Sequence, residues 1–271
     1  MEFHNPFVYL HYSFGVKALI SAILSGIVCS AVGSYVVLRK MAFIGAGLSH
    51  VAFAGIAFGL LLGSSPMLFA LLFTFVAGVV LWYMSTKKQI HSDVTIGILF
   101  AASMGLAVMF LSFSSSYSSE ALSYLFGSPL IVSNLDISLL ILVALVTFFF
   151  YSFFWKEIYL TTFSEDIAKA SGYNVELLTF LAYLLIAFAV TLSIKAVGAL
   201  LVFSLLVMPA ASAFKIARNY NSFFFLSVLF GFLSSFLGIF LSFLLDIPSG
   251  AAITFLSFLI FLFSVVIKKK V

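Results

Sequence analysis

The stretch FGVKALISAILSGIVCSAVGSYVVLRKMAFIGAGLSHVAFAGIAFGLLLG, residues 14–63, sets the class of the whole chain. It consists of two apolar runs, 14–37 and 42–63, with Arg39-Lys40 between them. Each run has the length of about 20 residues that a helix needs to cross a bilayer. The hydrocarbon offers no water to backbone N–H and C=O groups, so runs of this length and apolarity read as helices. Outward from this pair, similar runs recur at 66–85, 94–113, 135–155, 175–194, 197–214, 222–245 and 250–267. The pairs 42–63/66–85 and 175–194/197–214 lie close together, and either has room for a re-entrant or broken helix.

Composition agrees. Hydrophobic residues make up 64% of the 271 and charged residues 8%, with a mean hydropathy of +1.27. So few polar groups leave no surface to give to water, which excludes an additional soluble catalytic domain. The expected fold is an all-α integral membrane protein. It is a polytopic helix bundle of about nine transmembrane helices, forming a single transmembrane domain over 1–271, multi-pass in the cell membrane.

Charge placement orients the bundle. With the first connection in the cytoplasm, the inner loops hold Arg39, Lys40, Lys87, Lys88, Lys156, Lys169, Lys215, Arg218 and Lys268 to Lys270. The outer side holds Lys17 and Lys195. This segregation follows the positive-inside rule and predicts N-out, C-in. The net charge of +4 is accounted for by these loops, so no nucleic-acid partner is implied, and lipid is the expected solvent. Met1 to Tyr12 carry no basic n-region, so no removable signal is expected. The single cysteine, Cys29, lies in an apolar run and reads as a small packing residue.

Two connections are long. The outer one, Ser114 to Asn134, contains Leu-Ser-Tyr-Leu-Phe-Gly, a candidate interfacial helix. The inner one, Lys156 to Asn174, contains Thr-Phe-Ser-Glu-Asp-Ile-Ala-Lys-Ala-Ser-Gly-Tyr-Asn. Ser164 can cap a short helix with Glu165 and Asp166 in its first turn and Gly172 as its stop. A solvated linker is the other reading of that segment.

Most ionisable residues fall in loops or span ends. His50, inside the second span, is the exception. An ionisable group at depth normally faces a bundle interior or a water-filled path. Ala46, Gly47, Ala54 and Ala57 share its face, whereas Gly55, Gly59 and Gly63 form a small-residue stripe on the opposite one. A neutral imidazole is a good ligand for zinc and serves neighbouring metals. A histidine hydrogen-bonded to another helix is the plainer alternative. Ser49 is a weak ligand beside it. Lys195 follows the sixth span and reads as either a pathway residue or an interfacial lysine. Met208-Pro209 lies late in the seventh span. The proline frees a carbonyl and bends the helix, and the methionine offers a soft thioether.

Several chemistries are missing from the sequence. No Gly-rich phosphate loop ending in Lys and Ser/Thr occurs, and no His-Glu-x-x-His or Ser/His/Asp set. The chain is therefore expected to hold no catalytic residue and no bound cofactor. A membrane enzyme lacks its catalytic set. An ion-coupled secondary transporter would show internal repeats and midplane carboxylates, neither of which is evident.

Five segments in order carry a family resemblance: Tyr35 to His50, with Leu38-Arg-Lys-Met-Ala-Phe-Ile-Gly at its centre; Asp93 with Ile96-Gly-Ile-Leu; Tyr124-Leu-Phe-Gly; Phe163 to Gly172; and Lys195-Ala-Val-Gly-Ala-Leu-Leu through Pro209-Ala-Ala. Asp246-Ile-Pro-Ser-Gly adds to them. The chain resembles the zinc/manganese permeases of ABC importers, which have a type II importer architecture. The resemblance implies a homodimer with a path along its two-fold axis, two cytoplasmic ATP-binding subunits, and an extracytoplasmic metal-binding protein. ATP hydrolysis then belongs to the partner. His50 matches a family histidine facing the metal path, with Ser49, Lys195, Met208 and Pro209 in matching segments. Phe163, Glu165, Asp166, Ala168 and Gly172 fall on the family's ATPase-coupling helix. Many members have an aspartate four residues before the histidine, where this chain has Ala46. The retained ligand is nitrogen and the missing one oxygen, which favours zinc as the transported metal, ahead of manganese or iron.

Overall fold

A computed structural model describes residues 11–88, 90–113, 119–128 and 132–267. Lys268 to Lys270 and residues 114–118 of the outer loop lie outside the described residues. The structure is helical throughout. In chain order the helices are α1 (Ser13–Leu38), α2 (Ile44–Leu61), α3 (Pro66–Thr86), α4 (Ser92–Phe113), α5 (Ser119–Phe126), α6 (Asn134–Phe153), α7 (Trp155–Phe163), α8 (Glu165–Ala170), α9 (Val175–Val197), α10 (Val202–Ile216), α11 (Tyr220–Leu245) and α12 (Ser249–Val266). Eight of them are long and apolar enough to cross a membrane, and α10 is a shorter apolar helix. These are the nine expected spans.

The basic loops come together as the topology demands. Arg39, after α1, pairs with Glu165, before α9, and Lys87, after α3, pairs with Glu176. At the opposite end Asp136, starting α6, meets Lys195, ending α9. The bundle thus has a basic end and an opposite end, and the chain alternates between them.

The seventh span differs from expectation. It begins at Val202 rather than 197, and the sixth runs on to Val197, so Lys195 lies in the last turn of α9. Gly198 is the cause. It has φ +99°, a left-handed value that stops a helix of L-residues. The next amides turn to α5 instead, with Ala199 N donating to Tyr124 O at 2.9 Å and Leu200 N to Leu125 O at 3.2 Å. Neither close pair contains a re-entrant segment among the described residues. The short helix expected in the outer connection forms as α5.

Helices α1, α2 and α9 form the inner layer. In each, 72% of the apolar window is buried within the chain, against 22% for α4. Lipid is as apolar as leucine, so packing between spans depends on close approach and side-chain hydrogen bonds. Both occur. At Gly33 the α1 backbone meets α10 so closely that a Cβ would lie 1.9 Å from the Leu206 carbonyl oxygen. Thr191 donates to Thr74 at 2.8 Å between α9 and α3, and Tyr151 to Ala31 O at 2.8 Å between α6 and α1. Cys29 is buried and its thiol lies 3.3 Å from Ser193 Oγ, a packing position as expected.

Candidate metal path and coupling surface

His50 lies in the second turn of α2. Its Nδ1 is 2.9 Å from Ala46 O, one turn back. A carbonyl only accepts, so Nδ1 carries the proton and, in the neutral ring, the lone pair sits on Nε2. That is the tautomer a metal ligand needs. The ring is half-buried and lies 4.4 Å from the Phe100 ring of α4. Ser49 does not share this outlook. It is buried, and its hydroxyl donates to the same Ala46 carbonyl at 3.0 Å. Among the described residues no group of three or more His, Cys, Asp and Glu is placed to hold a metal ion.

The small-residue stripe behind His50 is partly as expected. Gly55 and Gly59 seat α3, where a Cβ would meet the Ala70 and Pro66 backbone at 2.7 Å. Gly63 does not continue the stripe. It sits past the end of α2 with φ +62° and open space around it. On the His50 side, Gly47 lies against Ile96, which draws α4 close.

The outer face of α4 does not stand out from its apolar surroundings in the sequence. Gly97, Ala101 and Gly105 recur every four residues and all three are exposed. Nothing within 4 Å opposes a Cβ on Gly97 or Gly105. This spacing is the close-packing pattern of membrane helices, and it is unpartnered within the chain. His50 opens beside it through Phe100.

Lys195 is held in the chain. Its ammonium donates to both oxygens of Asp136 at 2.9 Å, and Asp136 also accepts from Ser133 N and Oγ. The cation ends one helix and the anion begins another, so each complements a helix dipole. Gly127, with φ +78°, crosses Val197-Gly198 beside it, where a Cβ would come 2.4 Å from the Val197 carbonyl carbon. Met208 is partly exposed and Pro209 buried within α10, and the Met208 carbonyl accepts from Ser212 at 2.7 Å. The structure assembles Ser49 and His50 around one carbonyl. Lys195 belongs to a separate cluster at the far end.

At the basic end the short helix forms as expected. Ser164 accepts from Ile167 N, and Gly172, at φ +83°, ends the turn after α8. Glu165 pairs with Arg39 and lies 3.8 Å from Lys169, and Arg39 also donates to Thr161 O at 3.2 Å. Burial alone would lower the Arg39 pKa, but neighbouring Tyr35 and Glu165 outweigh it and hold the pKa above its usual value. Phe163 (76%) and Ile167 (48%) stand exposed together with Asp166. Ala168 is fully buried, so it seats the helix and is not part of its outer surface. Behind α8, a cavity of about 470 Å³ is lined by Arg39, Lys87, Lys169, Glu165 and Glu176.

A model of the ABC 3 transport family matches residues 11–268. The chain belongs to that family. Among its relatives is the manganese transport system membrane protein MntC of Listeria monocytogenes, 31% identical over 93% of this chain and 90% of that one. The high-affinity zinc uptake system membrane protein ZnuB of Haemophilus influenzae is 30% identical over 92% and 97%. In structure the permease resembles PsaBC from Streptococcus pneumoniae, solved in complex with Fab. The TM-score is 0.81 at 30% identity, covering 93% of this chain and 91% of that one. The permease is a multi-pass plasma-membrane protein.

Proposed function

We propose that this permease is the membrane-spanning subunit of an ATP-driven zinc importer. Two copies work around a two-fold axis, with ATPase subunits on the basic, cytoplasmic end and a metal-binding protein delivering at the other. The observation that carries the metal is His50, whose Nδ1 contact with Ala46 O leaves the Nε2 lone pair to a ligand, where no group of three or more His, Cys, Asp and Glu is placed to hold a metal among the described residues. A lone imidazole suits zinc, whereas manganese prefers oxygen. The relatives' names point to both metals. The exposed Gly97–Ala101–Gly105 face supports a second copy as its cover, because that spacing admits another helix and brings two His50 rings toward one axis. A proton-coupled mechanism has little to work with. Among the described residues the only buried acid is Asp136, and it is tied to Lys195 at a helix start.

Reconstituted with its ATPase, the permease should take up zinc at least about tenfold faster than manganese at equal free metal. Isotope uptake into proteoliposomes measures this. A preference for manganese would overturn the metal and leave the importer reading standing. Uptake that continues without ATP would overturn the importer.

The coupling surface has its own test. Phe163 and Ile167 present apolar area at the basic end, as a helix docking in a partner's groove would. Ile167→Glu places a charge in that contact and should lower ATP-driven uptake about tenfold or more. Expression and the permease's melting temperature should not change, because the side chain is exposed. Normal uptake by this variant would remove α8 from the coupling path. A charge at Ala168 would be a poorer probe, since that buried position fails by unfolding.

A further inference from the structure

A membrane-facing groove of about 370 Å³ runs between α1, α6 and α11. Its walls are apolar, with Ile27, Ala31, Ala144, Phe148, Phe225 and Val228 among them. Trp155 lines both this groove and a second, more polar cavity of about 710 Å³ at the basic end. Tyr220 packs on Trp155 with ring centroids 4.9 Å apart, and its hydroxyl is buried with no hydrogen-bond partner among the described residues. A third recess, about 320 Å³ between Leu38, Phe214 and Phe223, shares Arg218 and Tyr220 with the polar cavity. Two apolar spaces thus meet at one polar one.

Charge distinguishes the polar cavity from its neighbour. Behind α8, Arg39, Lys87 and Lys169 face Glu165 and Glu176 and are paired. The cavity by Trp155 holds Lys156 and Arg218, and no carboxylate lines it. Neither cation has a salt bridge among the described residues. Helix α11 begins there at Tyr220, with Asn219 capping Ser222 N at 2.8 Å. Unpaired cations above an aromatic belt, over an apolar groove, match a phosphate head above acyl chains.

We propose that this slot binds an anionic glycerophospholipid of the cytoplasmic leaflet. Its phosphate lies between Lys156 and Arg218 beside the Tyr220 hydroxyl. One acyl chain passes Trp155 into the groove against Ala144 and Phe148. The site rests on the reading that the basic end is cytoplasmic, and it lies away from His50 and from the exposed face of α4.

The test uses the intact permease–ATPase complex, with native mass spectrometry after exchange into phosphatidylglycerol or phosphatidylcholine. Phosphatidylglycerol should be retained about tenfold better. Lys156→Gln with Arg218→Gln should erase that preference, and both side chains are exposed, so the variant should fold. Ala144→Trp should reduce retention of both lipids by filling the groove. Inorganic phosphate at millimolar concentration should not displace the lipid. Equal retention of the two lipids overturns the proposal, as does displacement by phosphate, which would make the site a plain anion pocket. Loss of ATPase assembly in the double variant with lipid preference intact also overturns it, and assigns the cations to the ATPase contact. Metal uptake in the same preparation separates the two readings. A complex that transports without lipid preference sinks only the lipid site, and one that keeps the preference but moves no metal sinks only the importer.

Discussion

His50→Ala should lower metal uptake by the reconstituted importer more than about 100-fold, beyond the loss usual for a residue that merely orients a ligand. A divalent ion entering the bundle gives up water and needs replacement donors. Along α2 the candidates are few. Ser49 spends its hydroxyl on the Ala46 carbonyl, and Ala46 has no donor of its own beyond that carbonyl. On the proposed reading the Nε2 of His50 would be the strong ligand, held in place by the Nδ1 contact with Ala46 O. On the same reading, two such nitrogens across a dimer axis, with water or carbonyl oxygen, would make a shell loose enough to release its cargo. The ring is half-buried at an edge, so its removal should leave assembly and basal ATPase activity unchanged. His50→Asp should shift the remaining transport toward manganese, the harder ion. Wild-type uptake by His50→Ala would show that the histidine is structural and that the path runs elsewhere.

Gly33→Ala is expected to prevent the permease from folding, an outsized effect for one methyl group. The added carbon would lie 1.9 Å from the Leu206 carbonyl oxygen and 2.9 Å from its carbon. Both are backbone atoms, so no side-chain rotation relieves the clash, and α1 must part from α10. Overpacking of this kind costs about 3 kcal/mol or more, a large share of total stability. Helix separation would also expose Tyr35 and Leu206, both buried near this crossing. Size-exclusion chromatography and thermal melting in detergent read the outcome. Gly78→Ala is the comparison, since its added carbon first meets the movable end of the Leu184 side chain, at 3.3 Å. A monodisperse Gly33→Ala protein with an unchanged melting temperature would mean that α1 and α10 do not approach as described.

Spans and loop ends were legible because they depend on local sequence. Apolar length marks the spans, and Ser164 with Glu165, Asp166 and Gly172 makes α8 one of two readings of its segment, the one the structure takes. The errors have a common source in long-range contacts. The seventh span is expected too early because Val197 to Leu201 is as apolar as the helix that follows, and only the pairing of Ala199 and Leu200 with Tyr124 and Leu125 shows that Gly198 to Leu201 is not helical. Ala168 and Ile167 are neighbours in a six-residue helix, and which one faces out depends on what lies behind. Lys195 meets Asp136 across a separation that no periodicity reports. By contrast, Ser133-Asn-Leu-Asp was readable as a capping box, and Gly97, Ala101 and Gly105 as an interhelical stripe, although neither stood out from its apolar surroundings. The single donor at His50 was visible, but its tautomer required the Ala46 carbonyl.

Arg39 gives the bundle a load path. One guanidinium grips Glu165 at the start of α8 and the Thr161 carbonyl in α7. The same residue ends α1, the helix around which α9, α10 and α11 are packed, and the short link beyond it leads directly into α2. Tension applied to α8 by a partner would therefore be borne by a permanently charged side chain. It would reach the central helix directly, and the base of the helix carrying His50 through the short link that follows. Under the proposed function, strokes at the membrane surface and geometry around the imidazole would be geared to one another through a single side chain.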